Sequence, residues 1–310
     1  LERYVKFIIL ISFSVAYILE CIIGLSFLRK KEISTGSFSF QLPSGFWEFS
    51  LFVHLSTIFT FIYNNIDRIF ILSLGDLGQL GIYQAIITIY TFSRYLPKLL
   101  FNIIVPLLSN LIAGGRRDLI EKTYRKIERI VLLITIPLNI GIISFSRELL
   151  VIFGSEYIEY KSVLILFAVS NSLTALSYLN TPLLVVYEKN KQRFYNSLLQ
   201  IITQLLLTMI LMKNYGIYGV AVAKILGILL AQLYPIYIIK NGLDLSIQIP
   251  KEFFIGSIIT IIYGGIMLLY NSNLIAHMFL FIIFTLLFVL VSGYKKDDLL
   301  DIIMMVKKNN

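Results

Sequence analysis

The stretch LGIYQAIITIYTFSRYLPKLLFNIIVPLLSNL, residues 80–111, runs for 32 residues with Arg94 and Lys98 as its sole charged side chains. An α-helix rises about 1.5 Å per residue and a hydrocarbon core is about 30 Å thick, so about 20 residues suffice to cross it. The stretch does not alternate apolar with polar residues as a barrel strand would. It therefore reads as a membrane helix, tilted or protruding, that carries two cations on one face around Pro97.

Eight further apolar segments flank it: 5–28 and 46–73 before it, then 128–146, 162–187, 195–213, 217–239, 253–270 and 274–293. Nine long, non-alternating segments predict an all-α, polytopic transmembrane helix bundle. The composition agrees. Of 310 residues 57% are hydrophobic and 15% charged, with a mean hydropathy of +0.82, whereas a soluble domain carries about a quarter charged residues. The single cysteine, Cys21, leaves no disulfide framework and no cysteine metal cluster, and two histidines, His54 and His277, make a metal centre unexpected. No cofactor is implied. No glycine-rich phosphate loop, nucleophile elbow or soluble domain is present to carry catalysis, so an enzyme is not expected.

The net charge of +9 is distributed unevenly among the loops. One alternating set holds eighteen basic residues, including Arg29, Lys30, Lys31, the cluster from Arg116 to Arg129, Lys189, Lys191 and Arg193; the other holds five, Arg3, Lys6, Arg147, Lys161 and Lys213. The positive-inside rule puts the richer set and the C-terminus in the cytoplasm of a multi-pass plasma-membrane protein. The charge is thus topogenic, and nucleic acid is not an expected partner. An N-terminus placed outside, together with Leu1 in place of Met, leads us to expect an odd number of helices upstream, so that the chain is the C-terminal portion of something longer.

Charges inside the spans point to a site, because an ionisable group at the bilayer centre costs about 2.5–3.5 kcal/mol unless it faces water or a partner. Ser50, His54, Thr57, Asn64, Asn65 and Arg68 fall on one helical stripe of segment 46–73, and Arg94, Lys98 and Asn102 are spaced by four in segment 80–111. Like charges at that spacing repel, so the Arg94/Lys98 pair is expected to face an aqueous cavity that receives an anion. Asp67 and Arg68 near the end of their helix read equally as snorkelling groups or a local ion pair. His54 reads as a buried, satisfied histidine. Lys224, among Ala221, Ala223 and Gly227, reads either as cavity-lining or as snorkelling. Milder stripes run through Ser170, Thr174, Ser177 and Thr181 and through Asn196, Gln200 and Thr203. Segments 253–270 and 274–293 lack such a line and are expected at the lipid-facing periphery.

Four motifs recur in order. NNIDRIFILSLGDLGQLGIYQAIITIY begins at Asn64, RYLPKLLFNIIVPLLSNL at Arg94, ELLVIFGSEYIEYKSVLILFAVSN at Glu148 with a Phe-Gly-x-x-Tyr element, and MKNYGIYGVAVAKILGILL at Met212. In this order they resemble the C-terminal lobe of the polysaccharide-exporter family, the Wzx-type flippases of the multidrug/oligosaccharidyl-lipid/polysaccharide superfamily. The resemblance implies two six-helix lobes around an alternating-access cavity. It makes residues 1–45 the last helix of an N-terminal lobe with its cytoplasmic loop, 46–239 the C-terminal lobe, and 240–310 two peripheral helices and a tail. The implied function is flipping a polyprenyl-phosphate- or pyrophosphate-linked glycan across the plasma membrane, with Arg94, Lys98, Asn102, Arg68, Asp67, His54, Asn65 and Lys224 as cavity residues. The implied partners are that glycolipid, membrane lipids, and the missing N-terminal lobe or glycan-assembly proteins. A drug/cation antiporter of the same superfamily, a membrane-embedded transferase and a non-catalytic assembly subunit remain alternatives.

Overall fold

In the computed structural model the structure describes residues 15, 18–20, 22, 23, 26, 42, 44–99, 101–243, 245, 249–269 and 273–294, without the side chains at 96, 101–103, 117 and 118. The chain divides into two units, Leu1–Phe46 and Trp47–Asn310. In the first unit, most of the expected segment 5–28 lies outside the described residues; the described positions Ile18–Glu20 are helical and exposed.

All regular structure in the second unit is helical among the described residues. In order the helices are α1 (Phe46–Leu74), α2 (Leu77–Leu99), α3 (Phe101–Ala113), α4 (Arg117–Ser144), α5 (Ser146–Val151), a 3₁₀ turn (Ser155–Tyr160), α6 (Lys161–Leu173), α7 (Ser177–Val186), α8 (Asn190–Gly242), α9 (Lys251–Leu269) and α10 (Leu274–Ser292). Five helices are long and apolar enough to cross a membrane, or up to seven if α2 with α3, and the 3₁₀ turn and α6 with α7, each form one span bent by 45° and 46°.

The 53-residue α8 is not one rod, for Gly216 at φ 53° and ψ −133° interrupts it. This conformation belongs to glycine, since a Cβ would meet the flanking carbonyls. A Cβ on Gly219 would collide with the Leu211 carbonyl, and one on Gly227 would sit 3.5 Å from Gln204. Pairing of 219 with 211 and 227 with 204 means that the chain reverses at Gly216 and the two legs pack antiparallel. The expected segments 195–213 and 217–239 are these legs.

Helix α4 is the hub, packing against α2, α6, α9 and α10. One apolar core gathers Tyr83, Ile86, Ile136, Ile140, Leu164, Phe167, Tyr263 and Phe288 around it. A second joins Ile104 and Leu108 of α3 to Tyr124, Leu179, Leu183 and Ile239 at the other end. Expected at the lipid-facing periphery, α9 instead buries a full face. Cβ atoms on Gly256 and Gly264 would approach Ile136 Cγ1 and Val169 Cγ2 to 2.7 and 2.8 Å. Small residues at intervals of four, with Thr260 between them, let membrane helices touch backbone to backbone where no water-driven force exists between them. The hydroxyls of Ser144 and Tyr263 close the α4–α9 contact at 2.7 Å. Most of α10 remains exposed and apolar.

Candidate functional site

A cavity of about 570 Å³ opens between α1, α2, α7 and the two legs of α8. Its lining includes five cations, Arg68, Arg94, Lys98, Arg193 and Lys224, and no carboxylate. The cations are set at different depths. Counting along the α8 hairpin from Arg193, in its first turn, to Lys224, opposite position 207 by the pairing above, the lining extends ~20 Å along the bundle at 1.5 Å per residue. Between the cations lie neutral donors and acceptors: Asn64, Asn65, Asn196 and Gln200, the hydroxyls of Ser56, Thr60, Ser177 and Thr181, and the rings of Tyr63, Tyr90 and Tyr178.

Each cation is held differently. Arg94 Nε donates to the Tyr178 hydroxyl at 3.2 Å, and its guanidinium carbon lies 5.3 and 5.8 Å from the ring centroids of Tyr90 and Tyr178. Stacked on two aromatic faces, the group keeps its charge while its remaining N–H donors stay usable. Arg68 Nη1 donates to Asn65 Oδ1 at 2.7 Å, and Asn65 is itself fixed by donating to the Phe61 carbonyl. Arg193 donates to Asn190 Oδ1 at 3.3 Å. Lys98 is exposed and has no hydrogen-bond or ion-pair partner among the described residues. Lys224, 4% exposed, donates to Asp67 Oδ2 at 2.5 Å and lies 5.4 Å over the Tyr63 ring.

Behind Arg94 runs a buried chain of hydrogen bonds. The Tyr178 hydroxyl donates to Asn171 Oδ1 at 2.7 Å. The Asn171 amide donates to Ser93 Oγ at 3.0 Å and to Asn139 Oδ1 at 3.1 Å, and Asn139 donates to Ser172 Oγ at 3.0 Å. Asn139, Asn171 and Ser172 are fully buried, and the satisfied network joins α2, α4, α6 and α7 at the break between α6 and α7. Such networks rigidify a core only when every member is paired.

The cavity gathers Arg94, Lys98, Arg68, Asn65 and Lys224 from the sequence-predicted set. Asp67 lies outside the lining and is fully buried. Its Oδ1 accepts from the Arg68 backbone N–H at 3.0 Å, and its Oδ2 from the Tyr83 hydroxyl at 2.6 Å and from Lys224. Neither snorkelling nor a local Asp67–Arg68 side-chain pair describes it. His54 is exposed rather than buried and does not line the cavity. The stripe from Ser50 is out of phase with the lining in its first turns; Thr57 Oγ1, for instance, returns to the Val53 carbonyl at 3.0 Å. The side chain of Asn102 lies outside the described residues. Arg193 and the three tyrosines are additions. Arg193 was hidden among loop charges, and the tyrosines among apolar neighbours; Tyr90 and Arg94, one helical turn apart, are the signal that was there to read.

A second hollow of about 380 Å³, toward the end where Arg147 and Lys161 lie, mixes these cations with Glu159 and Ser162 and lacks the graded cation lining.

A family model described as polysaccharide biosynthesis protein matches residues 8–162, half of the chain. No curated protein matches. Among solved structures, the lipid II flippase MurJ in an inward closed conformation resembles 84% of this chain with a TM-score of 0.58 at 19% identity. The likeness is one of fold, and the chain spans 57% of that protein's length. With half its length matched by the family model, this membrane-embedded helical chain belongs to the polysaccharide biosynthesis protein family.

Proposed function

We propose that residues 46–239 form one lobe of an alternating-access flippase that carries a glycan linked to a polyprenyl phosphate or pyrophosphate across the plasma membrane, with the C-terminus cytoplasmic. The observation that carries this reading is the lining itself: five cations and no carboxylate in one cavity within an apolar bundle. Among the described residues, no carboxylate lies within ion-pairing distance of Arg68, Arg94, Lys98 or Arg193. Uncompensated cations in low dielectric favour an anion that brings its own charge, and Arg and Lys give a phosphate charge-assisted hydrogen bonds. The Tyr63 and Tyr90 hydroxyls and Arg68 Nε are buried without a protein partner, so donors remain for a ligand. The amides and hydroxyls around them suit a sugar, and the prenyl tail stays in lipid. Carrying the phosphate through hydrocarbon without such a path is prohibitive. Residues 240–310, with α9 packed on the hub helix and α10 largely exposed, complete the lobe; residues 1–45 would join it to a preceding lobe supplying the facing wall of the cavity.

A drug/cation antiporter would need a carboxylate open to the cavity. Asp67, the nearest acid, is buried behind Lys224, which favours the anionic lipid.

Replacing Arg94 and Lys98 together by Ala in cells that depend on this protein should abolish surface glycan while its synthesis continues, and the lipid-linked glycan should accumulate on the inner leaflet. Undiminished surface glycan in the double variant would overturn the assignment.

A further inference from the structure

The five cations are not equivalent, because one of them already has an anion. Asp67 comes from α1 and Lys224 from the second leg of α8, 157 residues apart. Both are buried, but Lys224 lines the cavity and Asp67 does not. The carboxylate therefore approaches the ammonium from behind, and an anion in the cavity would approach it from the front. Arg68 and Arg94 line the same cavity as this ammonium, so a phosphate drawn to those two arginines meets Lys224 as its third cation. Asp67 would survive the loss of Lys224: the Tyr83 hydroxyl at 2.6 Å and the Arg68 N–H at 3.0 Å continue to hold it. Tyr83 is itself fully buried and outside the lining.

We propose that Asp67 is an internal competitor for Lys224: it yields the ammonium to a phosphate or pyrophosphate group entering the cavity and retakes it as that group leaves, so that the anion is released rather than trapped. This rests on the cavity's being an anion site. A ligand held by every cation with no competing carboxylate would bind tightly and leave slowly, and a carrier that binds one state too well turns over poorly. The pair is thus a positioning device that sets the strength of binding, and Asp67 itself never touches the ligand.

The test is a double-mutant cycle on the full chain in nanodiscs, titrated with inorganic pyrophosphate and, in a separate arm, with a polyprenyl pyrophosphate. Asp67→Asn should tighten pyrophosphate binding roughly tenfold and slow its dissociation, the size expected when one close charge competitor is removed. The same substitution in a Lys224→Met background should change nothing, since there is no ammonium to compete for. Tyr83→Phe, which deprives Asp67 of a substitute partner without touching the cavity, should weaken binding several-fold, again only when Lys224 is present. It keeps the test open if Asp67→Asn fails to fold. Unchanged or weaker binding in Asp67→Asn, or the same tightening with and without Lys224, would overturn the proposal. If neither ligand binds the wild-type protein, the anion-site reading falls, and this inference falls with it. If free pyrophosphate shows the pattern and the lipid does not bind, the competition stands and the flippase reading fails.

Discussion

Arg94 and Lys98 sit four residues apart in an apolar helix, and each is tolerated for a different reason. Lys98 is exposed in the lining, whereas Arg94 spends its planar guanidinium on two tyrosine faces and one hydroxyl. Its aim depends on Tyr178 and, one step behind, on Asn171. Tyr178→Phe keeps the stacking and removes the hydrogen bond, so pyrophosphate affinity should fall a few-fold with a small change in melting temperature, in keeping with a net hydrogen bond of about 0.5–1.5 kcal/mol. Asn171→Leu strands several buried polar groups at once and should destabilise the protein by about 2–3 kcal/mol. Thermal unfolding in detergent with a parallel pyrophosphate titration separates the two. A Tyr178→Phe protein with unaltered affinity would show that the network is structural only. At this scale the sequence made Arg94 and Lys98 visible because their spacing is local. The Asp67–Lys224 pair was not visible, since nothing in either helix announces a partner 157 positions away.

Most helices could be read from hydrophobic length, but their breaks could not. Segments 80–111 and 162–187 each read as a single span, whereas the chain bends by 45° between Leu77–Tyr95 and Pro97–Ala113 and by 46° between Ser155–Leu173 and Ser177–Val186. Pro97 lies at the first bend; at the second, Thr174 returns its hydroxyl to the Ser170 carbonyl at 3.0 Å, a local bond that competes with the helix ladder. Both breaks adjoin the cavity, where Arg94, Lys98, Ser177 and Tyr178 are presented. Helix α9 shows the opposite case. Its small residues are legible, but lacking a polar line it reads as lipid-facing, because hydropathy cannot distinguish a lipid-facing surface from a close helix contact. Gly264→Leu should force α9 away from Val169 and Ile165 and destabilise the bundle by about 1–3 kcal/mol through overpacking. Since α9 contributes nothing to the cavity lining, the folded fraction should bind pyrophosphate with wild-type affinity. A selective loss of binding in that fraction would mean that α9 shapes the site.

As a whole, the molecule combines an apolar exterior with one strongly cationic interior surface. Large hydrophobic side chains are exposed along α1, α8, α9 and α10, as lipid contact requires, while the lining of the cavity gathers five cations from α1, α2 and α8. The class and the general place of the site were legible because membrane insertion forces both into the sequence: long apolar runs for the spans, and an unexplained charge wherever water or an anion must enter. The depth of the cation series and the answering carboxylate were not legible, because they arise only when α1, α2 and the α8 hairpin meet. The central claim is that these cations recognise a lipid-borne phosphate. It is tested most directly by comparing, in nanodiscs, the binding of a polyprenyl-pyrophosphate glycan with that of the same glycan on a phosphate-free lipid, for the wild type and for Arg94→Gln/Lys98→Gln. The phosphate-bearing lipid should bind the wild type at least about tenfold more tightly, and the double variant should erase the difference. Equal binding of the two lipids by the wild type, or a preference that survives the loss of both charges, would contradict the account.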